Sequence, residues 1–108
     1  MRFMIDVTVV GDGVNFAQNK IMLNSFGETS LRGNLDEGPI DRFALNASVY
    51  DNIATVGMHT WNDQGNHVDI FSFSGLSDGE LRAEPVEMEL DGRKLHLSVT
   101  VRYYILSD

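Results

Sequence analysis

Apolar residues recur at every second position along much of this chain. Phe3, Ile5, Val7 and Val9 alternate with Met4, Asp6, Thr8 and Val10, as in a strand with one buried face. Gly11-Asp12-Gly13 then turns the chain. Residues 14–26 carry a mixed signal. Val14, Ala17 and Ile21 fall at helical spacing, yet the tract follows a tight turn as a returning strand does, and the strand reading is adopted. Residues 27–42 hold Gly27, Gly33, Gly38 and Pro39 with few apolar groups, so a long connection is expected, with at most one short strand around Thr29–Leu35.

Five further strands follow. Ile40–Tyr50 places Phe43, Leu45, Ala47 and Val49 on one side. Ile53–Trp61 and His67–Ser74 form a hairpin around residues 62–66, and Gly75–Pro85 reads as a polar loop anchored by Leu76 and Leu81. Asp91-Gly92 separates two alternating segments, the strongest short-range hairpin signal, because a type I′ turn needs positive φ at both central residues. A two-residue turn there pairs Met88 with Leu95 and Val86 with Leu97 on one face, and Glu89 with Lys94 and Glu87 with His96 on the other. Apolar meets apolar and acid meets base, so the register is determined. The last strand continues with Val99, Val101, Tyr103 and Ile105 inward and Tyr104 outward. The expectation is a single all-β domain spanning 1–108: an antiparallel β-sandwich or flattened barrel of seven or eight strands, with at most one short helix.

Composition fits one globular domain: 108 residues, 43% hydrophobic and 22% charged. There is no cysteine, which excludes disulfides and thiolate chemistry. No apolar run is long enough to span a membrane as a helix, and the N-terminus carries no signal-peptide pattern. Sixteen acidic residues against eight Lys and Arg give a formal net charge of −8. The basic residues are scattered, with only Arg93-Lys94 adjacent. Direct nucleic-acid binding and an anionic membrane surface are therefore not expected.

The 53–74 hairpin carries the candidate chemistry. A five-residue loop sets Trp61 opposite His67, His59 opposite Asp69 and Gly57 opposite Phe71. One face then gathers His59, Trp61, His67, Asp69, Phe71 and Phe73, leaving Ala54, Val56, Met58, Val68 and Ile70 for the core. Aromatics mixed with His and Asp on an outer face suit three roles. As a metal site, His59, His67 and Asp69 would converge, although their spacing matches no ligand motif. As a sugar platform, Trp61 would stack beside Asn62, Asp63, Gln64 and Asn66. As a protein contact, the aromatic stripe would pack on a partner.

Other motifs dissolve on inspection. Gly11-x-Gly13 lacks the third glycine of a dinucleotide loop, since Phe16 stands there. None of the three histidines lies in a nucleophile elbow. Neither Asp36, Glu37 and Asp41 nor Asp78, Glu80 and Glu84 fits a calcium loop.

The expected function is accordingly non-enzymatic: an acidic module acting by protein–protein contact, as a homo-oligomer or part of a larger assembly such as a virus or phage particle, or as an inhibitor of a host protein. A carbohydrate- or metal-binding sandwich and a small enzyme using His59 and His67 are the alternatives. No cofactor is expected. The contact face is His59, Trp61, His67, Asp69, Phe71 and Phe73. Tyr104 joins it because Tyr103-Tyr104-Ile105-Leu106 is apolar on both sides and a long flat strand invites pairing at an edge.

Overall fold

The computed structural model describes residues 1–35, 37–61 and 65–107. Eight strands follow in order: β1 Arg2–Gly11, β2 Val14–Met22, β3 Glu28–Asn34, β4 Arg42–Tyr50, β5 Ile53–Trp61, β6 His67–Leu76, β7 Leu81–Leu90 and β8 Arg93–Leu106. There is no helix among the described residues. Two four-stranded antiparallel sheets face each other, sheet I in the order β2-β1-β8-β7 and sheet II in the order β3-β4-β5-β6. Every strand neighbours its sequence neighbour except at two seams, β2/β3 and β6/β7, and β8 returns to β1. This is an up-and-down barrel flattened until it splits in two.

Turn chemistry explains the hairpins. Asp12-Gly13, Asp51-Asn52 and Asp91-Gly92 all have positive φ at both positions, as type I′ turns require. The β7–β8 register is the one expected from sequence, with Met88 on Leu95, Val86 on Leu97, Glu89 on Lys94 and Glu87 on His96. An ion pair of Glu87 with Lys94 (3.5 Å) and a contact of its carboxylate with His96 Nδ1 (3.7 Å) mark its polar face.

Sequence periodicity misplaces three features. β7 begins at Leu81 rather than after Pro85, because an edge strand tolerates proline, which has no N–H to donate. Leu81, expected as an anchor, is exposed, whereas Leu76 is buried as expected. The long strand β8 lies inside sheet I, paired on both sides by β1 and β7. It therefore offers no edge to a visitor.

The core fills the space between the sheets, with Ile5, Val7, Val9, Leu95, Val99, Val101 and Tyr103 from one and Leu45, Val56, Met58, Ile70, Phe71, Phe73 and Leu76 from the other. Tyr103 ties the sheets together through its hydroxyl, which donates to the Asn52 carbonyl at 3.0 Å. Arg82 clasps the β6/β7 seam. Its Nη1 donates to the Ser74 carbonyl (2.7 Å), while Nε and Nη2 bind the Glu80 carboxylate (3.1 and 2.8 Å).

The other seam depends on glycine. Gly38 has φ +96°, and a Cβ there would overlap the Gly13 carbonyl oxygen. Gly38→Ala is expected to cost about 1–3 kcal/mol from the backbone strain, and more if the β1–β2 turn must move away. Denaturant unfolding of the purified variant measures this, and an unchanged midpoint would refute the close approach.

Candidate functional site

Sheet II presents an outer face whose rows follow from pairing. One row holds Arg32, Ala44, His59 and Asp69. The row nearest the 62–66 loop holds Asn34, Arg42, Trp61 and His67. Next inward come Ser30, Asn46, Gly57 and Ser72, then Glu28, Ser48 and Thr55, and finally Tyr50 opposite Ile53.

His59, Trp61, His67 and Asp69 are thus brought together as expected, with Trp61 opposite His67 and His59 opposite Asp69. The imidazoles of His59 and His67 stack at 4.9 Å, their planes 19° apart. The Trp61 ring lies 6.0 Å from His59 and 6.2 Å from His67. Two guanidinium groups join it: Arg32 at 5.7 Å and Arg42 at 5.5 Å from the ring centroid, within cation–π range. The sequence reading missed both arginines, which reach the tryptophan only through the β3–β4–β5 pairing. Ala44 points to this same outer face yet is buried, roofed by the larger side chains around it.

Phe71 and Phe73 do not belong to this face. The sequence reading set Gly57 opposite Phe71, but Gly57 pairs with Ser72 and Met58 with Phe71. A bulge places one extra residue between Asp69 and Phe71, so Ile70 and Phe71 both turn inward. Phe71 and Phe73 are each 5% exposed and pack in the core. Tyr104 is on the opposite side of the molecule, on the outer face of sheet I. Its hydroxyl is 3.3 Å from Asp6 Oδ2, and Arg102 lies 5.7 Å over its ring. It is not part of a surface shared with Trp61.

The candidate metal ligands do not converge. Stacked imidazoles present their faces to each other, and among the described residues no group of three His, Asp or Glu side chains is arranged to hold an ion. Of the calcium candidates, Asp78 accepts the Ile105 N–H (2.7 Å) and Glu80 accepts from Ser77 and Arg82, so both serve turns. Asp36 lies outside the described residues, as do Asn62, Asp63 and Gln64 of the expected sugar loop.

A shallow trough lined by small side chains runs across the middle of the face. Asn46, Ser48, Thr55, Gly57 and Ser72 line a hollow of about 250 Å³. It is continuous, through Asn46 and Ser48, with one of about 330 Å³ lined by Asn24, Glu28 and Ser30. At its far end stands an aromatic border, Tyr50 (88% exposed), with Ile53 beside it and Phe26 (82% exposed) on the adjoining 24–27 turn.

The ionisable groups perturbed by their surroundings lie elsewhere. Burial raises the Tyr103 phenol above its ordinary value of 10.0, and the Asp78 carboxylate adds to this. The Ser77 N–H, followed by Arg82, holds the Glu80 carboxyl below its ordinary value. Tyr103 keeps its proton more tightly when folded. The stability it contributes is therefore whole below the ordinary tyrosine value and is lost as pH rises through the folded one. The melting temperature is expected to fall above about pH 10, more steeply than in Tyr103→Phe. Parallel decline of the two proteins in a pH-dependent melting series would contradict this. Glu80 works in the opposite direction: its contribution is present above the ordinary carboxylate range and fades as pH falls through its lowered value.

No protein-family model, curated protein sequence or solved structure matches the chain.

Proposed function

We propose that this chain is a non-enzymatic contact module whose outer face on sheet II docks a protein surface, as an oligomer or within a larger assembly. One observation carries the reading: the guanidinium groups of Arg32 and Arg42 both lie within 5.7 Å of the Trp61 ring centroid, beside the stacked pair His59–His67. Tryptophan and arginine are the residues most enriched where binding energy concentrates at interfaces. Here they occupy a regular sheet face, held by strand pairing, so little ordering entropy is lost on docking. The chain is strongly acidic overall, yet these two rows hold Arg32 and Arg42 with Asp69 as the single acid. A local cationic and aromatic patch on an acidic molecule favours one orientation of approach.

A second reading has its own support. The hydroxyls and amide of Asn46, Ser48, Thr55 and Ser72 along the trough suit an oligosaccharide. The Trp61 ring, however, already carries two arginines, which leaves less of it open to a sugar ring. The test places a photo-crosslinking amino acid at position 61 and, as control, at Thr100 on sheet I. Protein adducts at 61 and none at 100, in extracts of the native source, are the expected result. Equal labelling at both positions would overturn the contact reading. Glycan-array binding abolished by Thr55→Arg, without protein adducts, would put the oligosaccharide in its place.

A further inference from the structure

The outer face of sheet II has a chemical polarity along its strands. Cations and the tryptophan lie at the end nearest the 62–66 loop: Arg32, Arg42, Trp61. Small polar groups fill the middle: Ser30, Asn46, Gly57, Ser72. At the other end lie Glu28, Tyr50 and Ile53. Tyr50 and neighbouring Phe26 are the most exposed large apolar side chains among the described residues. Two ends with opposite preferences on one face are the condition for self-complementarity.

From this we infer that two copies of the chain pair face to face through sheet II, resting on the contact reading above and naming its partner as a second copy. The geometry allows two kinds of two-fold axis between stacked sheets. An axis along the strands would lay β3 over β6 and β4 over β5, setting Arg32 near Asp69 but leaving Glu28 with no cation opposite it. An axis across the strands, passing through the Asn46 row, reverses the rows and keeps each strand over its own counterpart. Arg32 of one copy then meets Glu28 of the other, since both lie on β3 at equal distances from Ser30. Arg42 meets Tyr50, both on β4, and Trp61 meets Ile53, both on β5. Each contact occurs twice. A guanidinium over a phenol ring is a cation–π contact, and the arginine–glutamate pair fixes the register. The small central residues leave the trough as a hydrated middle between two packed ends.

The size of the face sets the strength. From the Trp61 row to the Tyr50 row is about 27 Å at about 3.4 Å per residue, and four strands at about 4.8 Å spacing give a width of about 19 Å. The area is about 500 Å² per copy, or about 1,000 Å² in all, near the lower bound for a specific interface. The dimer is therefore reversible, with a dissociation constant in the micromolar range.

The experiment is a charge exchange read by sedimentation equilibrium. Wild type is expected to dimerise across the micromolar range. Arg32→Glu and Glu28→Arg, both surface changes, are each expected to weaken self-association by about tenfold or more. An equimolar mixture of the two variants is expected to recover a one-to-one dimer, because every cross-copy pair is again opposite in charge. Melting curves establish that both variants are folded. The absence of cysteine supplies a second, independent measurement. A single Asn46→Cys lies on the axis and should crosslink to itself with a short bismaleimide, whereas Thr100→Cys should not. A wild type that stays monomeric overturns the inference. So does a dimer indifferent to both charge changes, or a variant mixture that does not associate. If the chain is monomeric but position 61 still labels a different protein, self-pairing fails and the contact reading stands. If neither occurs, both fail.

Discussion

Replacing Tyr103 by alanine is expected to lower the unfolding free energy by about 3–5 kcal/mol, the range for truncating a large buried ring. Tyr103 heads the fully buried side chains and is wholly shielded from solvent. Its ring stacks on Phe3 at 6.4 Å, and its hydroxyl donates to the Asn52 carbonyl in the β4–β5 turn of the facing sheet. Its backbone holds the 77–80 turn that leads into β7, accepting from the Gly79 N–H (2.8 Å) and donating to the Glu80 carbonyl (3.2 Å). One residue thus joins sheet I, sheet II and the chain segment that crosses between them. Tyr103→Phe keeps the ring and removes its hydrogen bond to the Asn52 carbonyl, so about 1 kcal/mol is expected. Domains of this size are stable by about 5–15 kcal/mol. The alanine variant should therefore melt about 12–40 °C lower, since 1 kcal/mol corresponds to about 4–8 °C. Urea unfolding followed by circular dichroism separates the two effects. An alanine cost no larger than the phenylalanine cost would mean that the ring is not the wedge described here.

The sequence exposed the hairpins because they need no long-range information. Asp91-Gly92 specifies its turn locally, and the alternation on either side specifies the register, which the structure reproduces pair for pair. What the sequence concealed was the phase slips. In β2 the alternation Val14, Phe16 changes phase before Ile21. Lys20 adopts φ +58° there, and its N–H binds the Asp6 carboxylate at 2.7 Å. A strand read across such a slip mimics helical spacing, which is why residues 14–26 looked mixed. Asp6 is the compensating group, and it sits on another strand, invisible to a local reading. In β6 the same event moved two phenylalanines from the proposed surface to the core. The surviving site was legible as far as one hairpin reached: His59, Trp61, His67 and Asp69. Arg32, Arg42 and Tyr50 belong to it only because β3 and β4 lie beside β5, and pairing order is a property of the whole chain.

The β6 bulge makes a prediction that separates Phe71 from Trp61, which the sequence placed on the same face. Phe71→Ala and Phe73→Ala are each expected to cost about 3–5 kcal/mol, while Trp61→Ala costs about 1 kcal/mol or less. The two phenylalanine rings lie 4.9 Å apart at 45°. The Arg82 guanidinium lies 5.8 Å over Phe73 while clasping Ser74. Removing Phe73 therefore opens a cavity and also loosens the β6/β7 seam. The rings share a contact, so the double variant should depart from additivity by about 0.5–1.5 kcal/mol. Association should show the reverse order. Trp61→Ala should abolish dimerisation with the fold intact, since its ring is the centre of the cationic patch. Phe71→Ala, studied below its unfolding transition, should leave dimerisation unchanged. Denaturant titrations paired with sedimentation of the same three proteins read both orders. If Phe71→Ala proves no more destabilising than Trp61→Ala and as harmful to association, then β6 runs without its bulge, and Phe71 faces outward beside Trp61.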